Sequence, residues 1–301
     1  MASGTVSGLY VYPIKSCRAV AVGTATVSAI GLAGDRTWQI VDADLNSRGL
    51  TQRQHSNLAT VQPEPLAGGG LRLTAPGKAT IEVDRPRAES ITVLSHFKVP
   101  VAASDAGDRA AAWFSEVTGE PVRLVAMPEG SGWRLPEDLD IFGQNAPFSD
   151  AAPLLVTAEA SLDWLRDRAS EDFGMDRFRP NVVVSGTEPW EEDSWAAFAI
   201  GDAQLRGVVP WPRCAIPQID QRTGDRRREP AKALRLHRWC TRAPTVSAPF
   251  RGIVEGSGLF GIGCAIGPAG ATISIGDEVT VTTLAPPVLP MVERSGGDPL
   301  R

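Results

Sequence analysis

Cys214 is the residue with the most chemistry to offer. It follows Val209-Pro210-Trp211-Pro212-Arg213 and precedes Ala215-Ile216-Pro217. The prolines hold the backbone extended and remove N–H donors. Arg213 beside it, with further basic residues beyond, favours the thiolate over the thiol. A lone thiolate on a stiffened loop among positive charges suits a soft metal or an electrophile. The competing reading is a buried loop cysteine that acts as a small hydrophobe.

The charge around Cys214 is unusual for this chain. From Arg213 to Arg238 there are eight basic residues (Arg213, Arg222, Arg226, Arg227, Arg228, Lys232, Arg235, Arg238) against three acids, Asp220, Asp225 and Glu229, in a protein of net charge −5. The segment reads as a solvated hairpin tip near Gln221 to Arg228, or as an anion site or dock for an acidic partner. Three more segments pair a basic residue with restrictive backbone or a hydroxyl: Tyr12-Pro13-Ile14-Lys15-Ser16, Gly34-Asp35-Arg36 and Phe178-Arg179-Pro180-Asn181. Such groups at strand ends can grip phosphate oxygens, Arg as a fork and Lys as a point charge.

Other chemistries find little support. The four cysteines, at 17, 214, 240 and 264, have no CxxC spacing, against a structural zinc or local iron–sulfur site. The three histidines, His55, His96 and His237, are scattered singly, with no HExxH pattern. Gly256-Ser257-Gly258-Leu259-Phe260-Gly261 matches GxGxxG, but the glycines and proline after it cannot hold the helix a dinucleotide site needs. It reads as a glycine-rich turn before a strand. The acidic balance excludes a global nucleic-acid footprint. No secretory signal opens the chain and no run could span a bilayer. The expectation is a soluble, cytoplasmic protein with free thiols and no membrane contact.

At 301 residues the chain is long enough for about two domains. Short strand-like runs dominate: 9–12, 24–30, 37–41, 71–74, 80–83, 91–94, 122–125, 181–184 and 272–282, punctuated by Gly, Pro and Asp. Helices are expected over 105–117 with Gly119 as its stop, over 158–169 with Thr157 as its cap, and from Glu229-Pro230 to His237. There is no βαβα rhythm, so the fold class is β-rich α+β, built on barrels. A boundary falls between about 120 and 150, giving domains over 1–120 and 121–287 and a loose tail over 288–301.

Taken in order, these segments resemble the two-domain MOSC family, and within it the amidoxime-reducing component type. The set runs from Tyr12-Pro-Ile-Lys15-Ser16 through Gly34-Asp35-Arg36, Thr51-Gln52-Arg53, Phe148-Ser149-Asp150 and Phe178-Arg179-Pro180-Asn181. It continues through Glu192-Asp193-Ser194-Trp195, Arg213-Cys214, Glu229-Pro230, Leu259-Phe260-Gly261 and Ile275-Gly276-Asp277. The resemblance implies an N-terminal β-barrel domain, a MOSC β-barrel domain, and molybdenum cofactor in the cleft between them. It implies that Cys214 is the metal ligand. Lys15, Ser16 and Arg36 would hold the cofactor's phosphate end. Arg179 and Asn181, with Asp150, Ala151 and Arg213, would hold the pterin. It implies a molybdenum oxidoreductase acting on small N-hydroxylated or N-oxide substrates, with Cys214 and Asp150 as the catalytic candidates; Asp150 also reads as a turn cap. Some bacterial members carry a ferredoxin domain with a cysteine cluster. These residues hold no such cluster, so electrons are expected from a separate ferredoxin, flavin reductase or cytochrome b5-like protein. The alternative function is a carrier of molybdenum cofactor or sulfur. Three departures from relatives stand out: Pro212 in place of Ser, Ala151 in place of a small polar residue, and Gly263 in place of Tyr.

Overall fold

The computed structural model describes residues 2–44, 49–87 and 91–286. The tail expected over 288–301 lies outside the described residues.

Seven strands close into a barrel. Around it run Ala2–Val11, Val182–Ser185, Leu154–Ala158, Gly258–Ile266, Ala203–Arg213, Trp195–Ile200 and Glu278–Leu284, which returns to Ala2–Val11. Only Leu154–Ala158 and Val182–Ser185 run parallel, and a parallel pair needs a crossover. Helix Glu159–Arg166 lies within that crossover. Val6, Leu154, Val156, Val184, Phe198 and Ile262 fill the interior.

Two smaller sheets are built wholly from the N-terminal half. One orders Trp38–Asp42, Val122–Ala126, Pro100–Asp105 and Ile91–Leu94; the other orders Gln62–Pro65, Leu71–Thr74 and Ile81–Val83. Helix Asp108–Thr118 turns Ala110, Trp113 and Phe114 onto their shared core. A further apolar cluster joins the halves, packing Val41, Val93 and Val101 against Phe148, Val209 and Phe250. The cleft between the halves therefore has anchored walls.

The protein is β-rich α+β, as the resemblance implied, with four α-helices among the described residues. The N-terminal segment does not stay in its own half. Ala2–Val11 closes the C-terminal barrel, and Thr24–Ser28 pairs with Thr272–Ser274. Strand patterning marks which residues face a core, not which sheet a strand joins.

The expected helices form with shifted ends. Asp108–Thr118 stops at Gly119, which takes a left-handed φ of 82°, a conformation glycine adopts without steric cost. Ala231–His237 follows Pro230. Glu159–Arg166 is capped differently from expectation: Thr157 donates to the Val182 carbonyl. Buried Glu192 instead accepts the Ala158 N–H at 3.3 Å and the Ser161 hydroxyl at 2.8 Å. Several strands lie outside the expected runs, among them Gln62–Pro65, Pro100–Asp105, Leu154–Ala158, Trp195–Ile200 and Ala203–Arg213, and the strand expected after the glycine-rich turn starts within it, as Gly258–Ile266. The last is buried on both faces at nearly every position, so no alternation arises. Helix Ala248–Val254 was also unexpected. Glycine is required at 261, where φ is 72° and a Cβ would lie 2.6 Å from Thr157 and 2.7 Å from the Val156 carbonyl.

Burial and neighbouring Asp193 push the Glu192 carboxyl from 4.5 up to about 7. The folded state thus keeps a proton that the unfolded chain has released. Stability from this group is full below pH 4.5 and falls as pH rises through about 7. Glu192→Gln is expected to flatten that fall, as thermal melts across this window will show.

Candidate functional site

Lys15, Ser16, Arg36, Asp150, Ala151, Arg179, Asn181, Arg213 and Cys214 all line one cleft of about 240 Å³. They arrive from five chain segments at or beside the ends of barrel and sheet strands. The cleft also takes in Arg53, His96, Ser149 and Trp211, none of which sequence reasoning selected as a site residue. Arg53 was visible only as part of the Thr51-Gln52-Arg53 segment.

The cationic end is organised around Tyr12. The Arg36 and Arg179 guanidiniums lie 4.4 and 4.3 Å from its ring centre. Both arginines have left-handed backbone, φ 48° and 55°, strain that the surrounding bonds hold in place. Asp35 is buried, accepts the Tyr12 N–H at 2.8 Å and pairs with Arg36. Arg36 also donates to the Asn181 side-chain oxygen and the Arg179 carbonyl. Asn181 engages Leu155 and Tyr10 as well. It works here as a brace between barrel strands, with both polar ends in use. Burial keeps the Tyr12 phenol neutral and makes Cys17 inert, its thiol pushed up to about 12.

Arg179 donates to Gln221 at 3.1 Å. Gln221 and Gln52 exchange amide bonds of 2.9 and 3.0 Å, and Gln52 donates to the Ser16 carbonyl. This buried pair ties the Ser16 turn, with its own φ of 69°, to the basic hairpin. The hairpin tip itself is exposed, as expected: Arg222, Arg226, Arg227 and Arg228 face solvent. Arg238 does not join them; it is buried against Asp193.

Asp150 sits at the centre. It pairs with Lys15 at 2.8 Å and Arg53 at 3.2 Å. Burial opposes its charge, but Lys15, His96 and Arg53 outweigh burial and hold the carboxyl well below the usual range. An ionised Asp150 has no proton to give near neutrality, so its geometry favours orienting cations over acid catalysis. Burial also opposes the Arg53 charge, and is outweighed by Asp150 and by the neighbouring Cys214 sulfur.

Cys214 is exposed, unlike Cys17, Cys240 and Cys264. The prolines before it do not mark a loop. Pro210 and Pro212 lie inside strand Ala203–Arg213, where the pairing shifts register between them. A bulge tolerates missing N–H groups and re-aims the residues beyond it. Trp211 lies over Gly263, where a Cβ would fall 2.6 Å from the indole ring. The indole thus fills the space that the expected tyrosine would need. Gly263→Ala is expected to lower the melting temperature by a few degrees, since overpacking costs roughly 1–3 kcal/mol. Calorimetry checks this.

Five cations (Lys15, Arg36, Arg53, Arg179, Arg213) meet two carboxylates here, Asp35 and Asp150. Buried donor atoms remain without a partner: Arg179 Nη2, Arg213 Nε and the Ser149 hydroxyl. Burial lowers Arg179, and brings Arg213 down to about 10. A cation excess with orphaned donors calls for an anionic ligand. Among the described residues no group of three or more His, Cys, Asp or Glu could hold a metal. A metal at Cys214 would need donors supplied by that ligand, and an anionic dithiolene-bearing cofactor fits this demand. Ala151, buried with only a methyl group, offers a wall and no side-chain bond.

Comparison with known proteins gives the family. Residues 3–121 match the MOSC N-terminal beta barrel domain and residues 143–280 the MOSC domain. Mitochondrial amidoxime reducing component 2 of Rattus norvegicus is 33% identical over 289 residues, 92% of this chain and 82% of that protein. Mitochondrial amidoxime-reducing component 1 of Homo sapiens is 31% identical over 289 residues, with the same coverage of each chain. No helix among the described residues is long and apolar enough to cross a membrane. The chain belongs to the two-domain MOSC family, among the relatives of the amidoxime reducing components.

Proposed function

We propose that this chain binds molybdenum cofactor in the cleft and reduces small N-hydroxylated or N-oxide compounds. The observation that carries the reading is the cation excess with orphaned buried donors, opening onto one exposed thiol. Arg179, Arg213 and Ser149 have bonds to give to an anionic cofactor, and Lys15 and Arg36 add charge. Cys214 is the metal ligand. Bound there, the cofactor supplies two-electron redox chemistry.

The chain's own residues then place and insulate. Asp150 fixes Lys15 and Arg53, and Arg53 in turn contacts the Cys214 sulfur. Phe97, Trp211, Phe250 and Ile253 give the other wall an apolar surface, suited to the hydrocarbon part of a substrate. Arg222, Arg226, Arg227 and Arg228 form the exposed rim, and Arg226 donates to the Arg53 carbonyl. This rim is the dock for an acidic, separate one-electron donor protein. All four cysteines are free thiols, which fits a reducing compartment such as the cytoplasm.

The test is molybdenum content by mass spectrometry after expression in a cofactor-making host, with benzamidoxime turnover driven by reduced methyl viologen. One molybdenum per chain with turnover is expected. Molybdenum without turnover would make the protein a cofactor or sulfur carrier. Neither would sink the reading and leave an anion-binding cleft.

A further inference from the structure

Reduction of an N–OH group consumes protons as well as electrons. One N-hydroxyl group, two electrons and two protons give one N–H and one water. Few groups in this cleft can supply a proton near neutrality. Asp150 is held ionised by its cations. The four arginines keep their protons at neutral pH. Lys15 is committed to Asp150, and Cys214 is the ligand. Of the side chains lining the cleft, His96 is the one whose type titrates between about pH 5 and 8.

Local turn chemistry places His96 in the cleft. It sits in the turn joining Ile91–Leu94 to Pro100–Asp105. Ser95 closes that turn: its N–H bonds the Val99 carbonyl at 2.9 Å, and its hydroxyl accepts the Val99 N–H at 3.1 Å. The Phe97 ring packs edge-on to the imidazole at 5.3 Å and lies 6.1 Å from Trp133. The half-buried imidazole therefore lines the cleft from the N-terminal half, while Asp150 and Cys214 come from the C-terminal half. It shares the cleft with Asp150, Lys15, Arg53, Arg213 and Cys214, with Lys98 on its own turn.

We propose that His96 is the proton donor of this site, delivering a proton to the oxygen that leaves the substrate nitrogen. The inference rests on the N-hydroxy reductase reading. In the step the imidazolium N–H bond breaks and its electron pair stays on the ring. A new O–H bond forms as the N–O bond breaks. The electron pair comes from the one-electron donor in two transfers, the second proton comes from solvent, and solvent reprotonates the ring. Asp150, a carboxylate lining the same cleft, would have a positioning role.

The test uses the molybdenum-loaded protein, reduced methyl viologen and benzamidoxime from pH 5.5 to 9. Wild-type kcat should fall as pH rises through the imidazole pKa. His96→Gln should lose at least about 100-fold in kcat, lose that limb, and keep its molybdenum. Added imidazole should restore part of the rate of His96→Ala, which a merely structural role would not allow. Independently of cofactor, the NMR titration of His96 should move to lower pH in Asp150→Asn. An unchanged rate and pH limb in His96→Gln, or a His96 titration indifferent to Asp150, overturns the proposal. Molybdenum-loaded wild type that never turns over overturns the function reading itself, and this proposal with it.

Discussion

Cys214→Ala is expected to abolish N-hydroxy reduction while leaving the fold intact. Cys214 is exposed and follows the last residue of a barrel strand, so removing its sulfur opens no cavity. The sulfur accepts a long 3.5 Å bond from the Ile216 N–H and is approached by Arg53. The thermal melt of the cofactor-free protein should stay within a degree or so of wild type, as for surface changes worth about 0.5 kcal/mol or less. Turnover should fall well beyond the roughly 100-fold loss typical of residues that only support a metal ligand. The cleft cations proposed to hold the pterin remain, so pterin fluorescence after denaturation should still be found at reduced occupancy. A mutant that keeps both its molybdenum and its rate would remove Cys214 from the metal.

Arg179→Met should move cofactor binding and apo stability in opposite directions. In the apo protein Arg179 is a buried guanidinium with Nη2 unpartnered and Arg36 beside it. Burial lowers its pKa, partly offset by Tyr12 and reinforced by Arg36. Replacing such a charge with a side chain of similar volume is often neutral or stabilising. The apo melting temperature should hold or rise by a few degrees. Cofactor retention should weaken about 10- to 150-fold, the loss of one charge-assisted bond worth about 1.5–3 kcal/mol. Equilibrium dialysis against released cofactor measures the second, calorimetry the first. A loss in both would mean that Arg179 holds the fold through Gln221 rather than the ligand.

These two residues show how unevenly the site was legible. Cys214 stood out because its type and its neighbours are chemically unusual in the local sequence. Lys15, Arg36 and Arg179 were legible only as an ordered set, since a single basic residue beside a turn is common on any surface. Arg53 and His96 gave less signal still: an isolated histidine between Ser95 and Phe97 has no local pattern to mark it. Asp150 was visible but its state was not, because that state is set by Lys15 and Arg53, 135 and 97 positions away.

The fold divides in the same way. Short strands, helix stops at Gly119 and the α+β class follow from local chemistry, since turn residues and side-chain period act within a few positions. So does the charge inversion after Arg213. The sequence by itself determined which groups the chain owns: one thiol in a stiff, basic setting, and cations at strand ends. Only the tertiary structure decided which of them meet. It drew Ala2–Val11 into the far barrel, put strand bulges before Cys214, and brought a histidine of one half and an aspartate of the other into one cleft. Those outcomes depend on register and barrel closure, whose energies come from contacts between distant residues that no local pattern encodes.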